Sequence, residues 1–231
     1  MKIGILQTGE TPESFRDRLG DYNVLCQRCL EGQGFTFQTY RVLDGELPPS
    51  VQAADGWLIT GSRHGVYDDL PWIVPLEDFL RAAYAAAVPI VGICFGHQIL
   101  AQALGGRVEK FSGGWSVGPV DYRLTDGSCE TLIAWHQDQV IEPPAEAQVL
   151  ASSDMCRNAM LLYGDRALTV QPHPEFTPEF AAALLEARRN VLPAEAAARA
   201  EAGQGIPTTA PHMLDRIAAF FRAAAARRTT A

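Results

Sequence analysis

The sequence predicts an α/β protein with a mostly parallel open sheet flanked by helices, an antiparallel portion and C-terminal helices. Up to Gly106, short apolar runs alternate with segments of helical periodicity, as parallel strands joined by crossover helices do. Between residues 107 and 171 the apolar runs are short and few helical patterns separate them, which favours antiparallel strands. From Pro178 onward the chain is rich in alanine and has helical spacing.

The elements of the first half follow from local patterns. Apolar residues in short or alternating runs predict strands over residues 2–7, 35–42, 55–60 and 90–93. Apolar residues that recur at helical spacing predict helices over residues 12–31, 72–87 and 98–104. Gly105 and Gly106 end the last of these helices.

The second half is predicted to begin with short strands and to end in helices. The strands cover residues 107–111, 119–125, 148–151, 159–163 and 167–171, with a hairpin turn between the last two. The helices cover residues 178–190, 193–202 and 212–227, followed by a frayed tail at 227–231. We expect one domain over residues 1–231, in which 178–231 is a helical extension of that same domain.

A cysteine flanked by two glycines lies between the strand at 90–93 and the helix that follows it. Gly92, Cys94 and Gly96 form a Gly-x-Cys-x-Gly pattern, which is typical of a nucleophile elbow. The turn is so tight that a side chain on either flank would clash, and helix N-terminal amides favour a thiolate. Cys94 is therefore the candidate nucleophile, and the alternative is a buried, inert cysteine that ends a core strand.

A candidate base follows the apolar strand at 167–171. In an extended segment, residues two apart point to the same side, so Glu175 can orient the imidazole of His173. A cysteine nucleophile needs such a base and a group that orients it. The alternative is a surface loop that carries a histidine and a glutamate by chance.

A third candidate segment, Thr60-Gly61-Ser62, follows the strand at 55–60. A glycine at a strand end leaves backbone amides free to face a developing oxyanion. The carboxyl ends of parallel strands share one crevice, which would bring Gly61 close to Cys94. The amides of Gly61 and Phe95 are therefore the predicted oxyanion hole.

Composition excludes several classes of partner. A formal net charge of −8 argues against nucleic acid, and no apolar run approaches the length of a membrane span. The N-terminus lacks the long apolar core of a signal peptide, and five cysteines suit reduced thiols, so we expect a cytoplasmic protein. We expect no metal and no cofactor, because ligand spacing and a phosphate-binding loop are both missing.

Two segments together resemble a known family, the class I (triad) glutamine amidotransferases. These are Gly92-Ile93-Cys94-Phe95-Gly96-His97-Gln98 and Gln171-Pro172-His173-Pro174-Glu175. The resemblance implies a flavodoxin-like fold and a triad of Cys94, His173 and Glu175 that forms a γ-glutamyl thioester. It also implies that Gln98, and with weaker correspondence Trp115 and Ser116, contact the substrate.

The loop at Gly61 departs from the family's usual Gly-Gly-Pro-x-x-Pro. Its form is more similar to that of stand-alone members, among them GMP-synthase-like amidotransferases and plant γ-glutamyl peptidases. The residues after Glu175 are too few for an ATP-dependent synthetase domain, so either the acceptor chemistry lies on a separate synthetase subunit in trans or the acceptor is water.

The expected function is therefore that of a glutamine amidotransferase or glutaminase, a cysteine-dependent enzyme whose ammonia passes to a separate acceptor enzyme. One alternative is a γ-glutamyl peptidase that acts on γ-glutamyl peptides or conjugates with the same residues. The other is a non-catalytic regulatory subunit that binds a synthetase or a γ-glutamyl metabolite.

Overall fold

The computed structural model describes residues 1–230, and their side chains as far as residue 227. Nine of the strands in this part of the chain form one sheet in the order β2-β1-β3-β4-β11-β10-β9-β6-β7, and β5 and β8 form a separate ribbon. The strands are β1 Lys2–Gln7, β2 Thr36–Arg41, β3 Gly56–Ile59, β4 Ile90–Ile93, β5 Arg107–Lys110, β6 Ser116–Leu124, β7 Cys129–His136, β8 Asp138–Glu142, β9 Gln148–Ser152, β10 Met160–Tyr163 and β11 Ala167–Val170.

The predicted fold class is confirmed. The pairs from β2 to β11 are parallel, and those from β11 to β7 are antiparallel. The helices are α1 Glu13–Leu19, α2 Tyr22–Cys29, α3 Ile73–Ala85, α4 Phe95–Ala103, α5 Pro178–Arg188, α6 Ala194–Ala202 and α7 Ala210–Thr230.

The helices bury apolar residues on both faces of the sheet. Leu76 and Leu80 of α3 pack with α4 in one core. Met213, Ile217 and Phe221 of α7 pack with α2 in the core on the other face. This two-sided burial explains why the central strands are continuously apolar.

The single helix predicted over residues 12–31 is wrong, because the structure breaks it into α1 and α2. Gly20 has a φ of 96°, which ends α1. Asp21 then caps α2 by accepting a hydrogen bond from the backbone amide of Tyr22, and its other oxygen accepts one from Gln7 Nε2. Apolar periodicity alone did not separate the two helices.

Strands β7 and β8 were missed by the sequence patterns. Strand β7 pairs with β6 along its whole length, from the Ser116–His136 pair to the Arg123–Cys129 pair. Polar residues in β7 interrupt the alternation of apolar and polar side chains from which strands are predicted. The strand is therefore specified by its pairing with β6 and not by its local sequence pattern. The predicted tail also differs, since α7 continues through Thr230; Ala231 lies outside the described residues.

No helix in residues 1–230 is both long enough and apolar enough to cross a bilayer.

Candidate active site

Cys94 lies in a strained turn between β4 and α4. Its φ of 51° is rare for a residue with a side chain, and such strain is typical of functional sites. A Cβ at Gly92 would lie 2.4 Å from the carbonyl oxygen of Gly96, and a Cβ at Gly96 would lie 2.6 Å from that of Ile59. Both contacts involve backbone atoms, so the turn needs glycine on each flank.

We expect Gly92→Ala to destabilise the protein by about 3 kcal/mol, because the new methyl group overlaps backbone that cannot move away. Gly34→Ala is the matched control: its φ of 80° strains alanine, but a Cβ there meets nothing within 4 Å. That control should lose only about 1 kcal/mol. Chemical denaturation measures both variants, and equal losses would show that the overlap at Gly92 has no cost.

The nucleophile and the candidate base extend from neighbouring parallel strands. Strand β4 pairs with β11 so that Ile93 lies opposite Val170, and the backbone amide of Cys94 donates to the carbonyl of Val170 over 2.8 Å. Residue 173 follows β11 by a short extended segment. Its backbone amide donates to the carbonyl of Ile133 on β7 over 2.8 Å, which fixes the backbone of His173.

His173 and Glu175 form a buried pair. Nδ1 of His173 lies 2.7 Å from Oε1 of Glu175, and both side chains are less than 5% exposed. The imidazole stacks on Phe176 with ring centroids 4.0 Å apart. The carboxylate and the phenyl ring together hold the imidazole in one orientation.

Gly61 lies against both the imidazole and the thiol-bearing residue. A Cβ at Gly61 would be 3.0 Å from Cε1 of His173 and 3.8 Å from Cβ of Cys94. The hydroxyl of Thr8 donates to the carbonyls of Thr60 and Gly61, which holds this loop on the end of β1. The structure thus brings Cys94, His173 and Gly61 together beyond the carboxyl ends of the central strands β4, β11 and β3.

His173 differs from two other buried histidines in the direction of its pKa shift. Burial lowers the pKa of His173, but the negative charges of Glu175 and Cys94 and hydrogen bonds to both side chains outweigh it, so the pKa is raised. Burial lowers the pKa of His97 and of His136 to about 3, with further lowering by neighbouring histidine charge. Of these three histidines only His173 has a raised pKa, so the site favours the charged imidazolium only there.

The other predicted site residues lie at the start of α4 and at the start of β6. Phe95 begins α4, where the first-turn amides have no partner within the helix. Gln98, one turn further, donates from Nε2 to the carbonyl of Asp138 and to Oε1 of Gln171. In this structure Gln98 thus supports the turn after β7, with its amide already engaged.

Trp115 and Ser116 differ in their surroundings. Trp115 packs against the core formed by α5 and α6. Ser116 is buried opposite His136, and neither Ser116 Oγ nor His136 Nε2 has a hydrogen-bond partner among the described residues. Nearby in the sequence to His136, Asp138 accepts a hydrogen bond at Oδ2 from the hydroxyl of Tyr67 over 2.8 Å.

Tyr22 borders the crevice, although its sequence position predicted only a helix over residues 12–31. Its ring carbon Cε2 would lie 3.3 Å from a Cβ at Gly9, next to the Gly61 loop, and its ring packs on Phe176. Burial and the charges of Cys94 and Glu175 raise its pKa. The sequence feature that could have indicated its position is the Gly20-Asp21 pair just before it, which ends one helix and begins the next.

No three His, Cys, Asp or Glu side chains among the described residues cluster as a metal site requires. The five cysteines are free thiols, and Cys26 and Cys29 lie on α2, where the Cys29 thiol donates to the carbonyl of Cys26.

Comparison with known proteins defines the class. The sequence profile of the family described as "Glutamine amidotransferase class-I" matches residues 36–188. The chain therefore belongs to the class-I glutamine amidotransferase family.

Particular relatives include both a gamma-glutamyl peptidase and a GMP synthase subunit. The chain is 32% identical to gamma-glutamyl peptidase 3 of Arabidopsis thaliana, over 69% of this chain and 70% of the relative. It is 29% identical to a subunit of the glutamine-hydrolyzing GMP synthase of Sulfolobus acidocaldarius, over 76% of this chain and 89% of the relative. The solved glutamine amido transferase of Methylobacillus flagellatus shares the fold, with a TM-score of 0.70, 24% identity and coverage of 98% and 94%.

Proposed function

We propose that this protein hydrolyses the γ-amide bond of glutamine or of a γ-glutamyl compound through a thioester on Cys94. The observation that carries the proposal is the buried His173–Glu175 pair, with 2.7 Å between Nδ1 and Oε1, next to the strained Cys94 turn. A carboxylate that orients an imidazole beside a thiol is what cysteine nucleophilic catalysis needs.

The first half-reaction forms the thioester. The Cys94 thiolate attacks the γ-carbonyl carbon, and the carbonyl oxygen gains the negative charge. The backbone amides of Gly61 and Phe95 donate to this oxyanion. When the intermediate collapses, the carbon–nitrogen bond breaks and His173 gives its proton to the departing nitrogen.

The second half-reaction releases glutamate. His173, now neutral, accepts a proton from water while the water oxygen attacks the thioester carbon. The carbon–sulfur bond then breaks and restores the thiolate beside the imidazolium. Glu175 stabilises the imidazolium in both resting and product states, which agrees with the raised pKa of His173.

Two kinds of leaving group fit this chemistry. The likeness to the Sulfolobus acidocaldarius synthase subunit supports glutamine as substrate, with ammonia passed to a separate synthetase or acceptor enzyme. The likeness to gamma-glutamyl peptidases of Arabidopsis thaliana supports a γ-glutamyl peptide or conjugate. In both cases Gln98, through its Oε1 because its Nε2 is already engaged, is proposed to contact the glutamyl part together with Trp115 and Ser116.

We expect the purified protein to release glutamate from L-glutamine or from γ-glutamylglycine, measured by a coupled glutamate assay. We also expect 6-diazo-5-oxo-L-norleucine, a glutamine-directed electrophile, to label Cys94, measured by peptide mass spectrometry. A rise in glutamine turnover on adding a candidate synthetase would identify the acceptor route. A protein that hydrolyses neither compound and whose Cys94 stays unlabelled would instead be a non-catalytic subunit.

A further inference from the structure

An apolar cavity of about 240 Å³ lies between the β6–β7 hairpin and helices α5 and α6. The chemistry described above makes no use of it. Its described lining includes only two polar side-chain groups, the amide of Gln204 and the indole N–H of Trp135, and no charged one. The larger apolar residues of the lining are Val117, Pro119, Ile133, Trp135, Leu185 and Ile206.

This cavity shares its β7 wall with the proposed catalytic crevice. The carbonyl oxygen of Trp135 lies 3.9 Å from Sγ of Cys94, and Trp135 also lines the cavity. Ile133 holds the backbone of His173 through its carbonyl and lines the cavity as well. Pro178, three residues after Glu175, contributes to the lining from the start of α5. The cavity is thus separated from the reacting thiol by the backbone of β7 alone, within reach of a substituent on the scissile nitrogen.

The lining decides which part of a substrate can enter. The α-ammonium and α-carboxylate groups of a γ-glutamyl compound need charged or polar partners, and burying them here would cost several kcal/mol each. An apolar ring meets no such cost, and a smaller apolar cavity of about 150 Å³ is large enough for benzene. The occupant must therefore come from the amine side of the scissile bond.

We propose that this cavity binds an apolar substituent on the amine side of the substrate. The protein then prefers γ-glutamyl amides of arylalkyl or alkyl amines to glutamine, whose leaving group is ammonia and leaves the cavity unused. This inference rests on the proposed function. The reaction is the same hydrolysis: the carbon–nitrogen bond breaks, His173 protonates the departing amine, and water releases glutamate from the thioester.

The test compares γ-glutamylbenzylamide, γ-glutamylglycine and L-glutamine with the wild-type protein. Both amides carry a CH2 group on the scissile nitrogen, and they differ in what that carbon bears: an apolar phenyl ring in the benzylamide and a charged carboxylate in γ-glutamylglycine. We expect kcat/KM for the benzylamide to exceed that for γ-glutamylglycine by about 10- to 100-fold. Equal values for the two amides would overturn the inference and leave the proposed function intact. No hydrolysis of any of the three would overturn both.

Two variants test the place of binding. Ala182→Leu fills the cavity from α5, and Ile206→Glu puts a charge at its mouth, where Ile206 is 47% exposed. Each should reduce kcat/KM for the benzylamide at least about 10-fold and leave γ-glutamylglycine nearly unchanged. Ala187→Leu, on the same helix but outside the lining, is the matched control and should change neither. Equal losses for both amides in the two cavity variants would overturn the inference.

Discussion

Cys94→Ala is expected to abolish hydrolysis of γ-glutamyl substrates, with a loss in kcat on the order of 10⁶-fold. The reason is that no thioester can form without the Cys94 sulfur. The change removes one sulfur atom from a buried position and keeps the backbone of the elbow. The free energy of unfolding should therefore change by only about 1 kcal/mol.

The measurement is glutamate release together with thermal unfolding by circular dichroism. Cys129→Ala is the control, since Cys129 is the exposed cysteine among the five free thiols and should retain full activity. Glutamate release by Cys94→Ala at the wild-type rate would refute the proposed nucleophile. A loss of activity accompanied by unfolding would require the same comparison with Cys94→Ser.

Glu175→Gln is expected to lower kcat by about 10²- to 10⁴-fold, because the variant keeps the shape of the side chain but loses its charge. In the wild type, Glu175 helps to raise the pKa of His173 against the effect of burial. Without that charge, burial prevails and the pKa of His173 should fall. Titration of the His173 Cε1 proton by NMR measures this shift directly.

The same substitution has a defined effect on stability as the pH changes. The folded protein binds the His173 proton more tightly than the unfolded chain, whose histidine pKa is 6.5. This contribution to stability is fully present below that pH and is lost as the pH rises through the raised pKa. The stability advantage of the wild type over Glu175→Gln should therefore be largest just below pH 6.5 and shrink as the pH rises above it, and Glu179→Gln on α5 serves as an exposed control. An unchanged His173 titration in Glu175→Gln would contradict the proposed pairing.

Much of the site's geometry could be predicted from local sequence patterns. The two glycines around Cys94 predicted a turn too tight for side chains. In the structure a Cβ at either position would indeed lie too close to backbone atoms. The spacing of His173 and Glu175 predicted that the two side chains meet, and they lie in hydrogen-bond contact. The catalytic roles of these residues stay proposals until the variants above are measured.

Other parts of the site carry no local signal. Strand β7 supplies the carbonyls of Ile133 and Trp135 to His173 and Cys94, and a backbone carbonyl can come from any residue type. The cavity depends on how α5 and α6 pack on β6 and β7, which is a tertiary feature. Tyr22 reaches the crevice only because Gly20 redirects the chain before α2.

The pairing of β4 with β11 allows relatives to differ in substrate preference without a change in the catalytic geometry. Because the backbone ladder between Ile93 and Val170 sets the spacing of thiol and imidazole, insertions in the surrounding loops leave that spacing intact. The stretch from the end of α5 to the start of α7 lies outside that ladder and supplies only part of the cavity wall, Ala200 and residues 203–206. Chimaeras that swap this stretch should therefore shift the preference among amines while the rate of thioester formation stays that of the host.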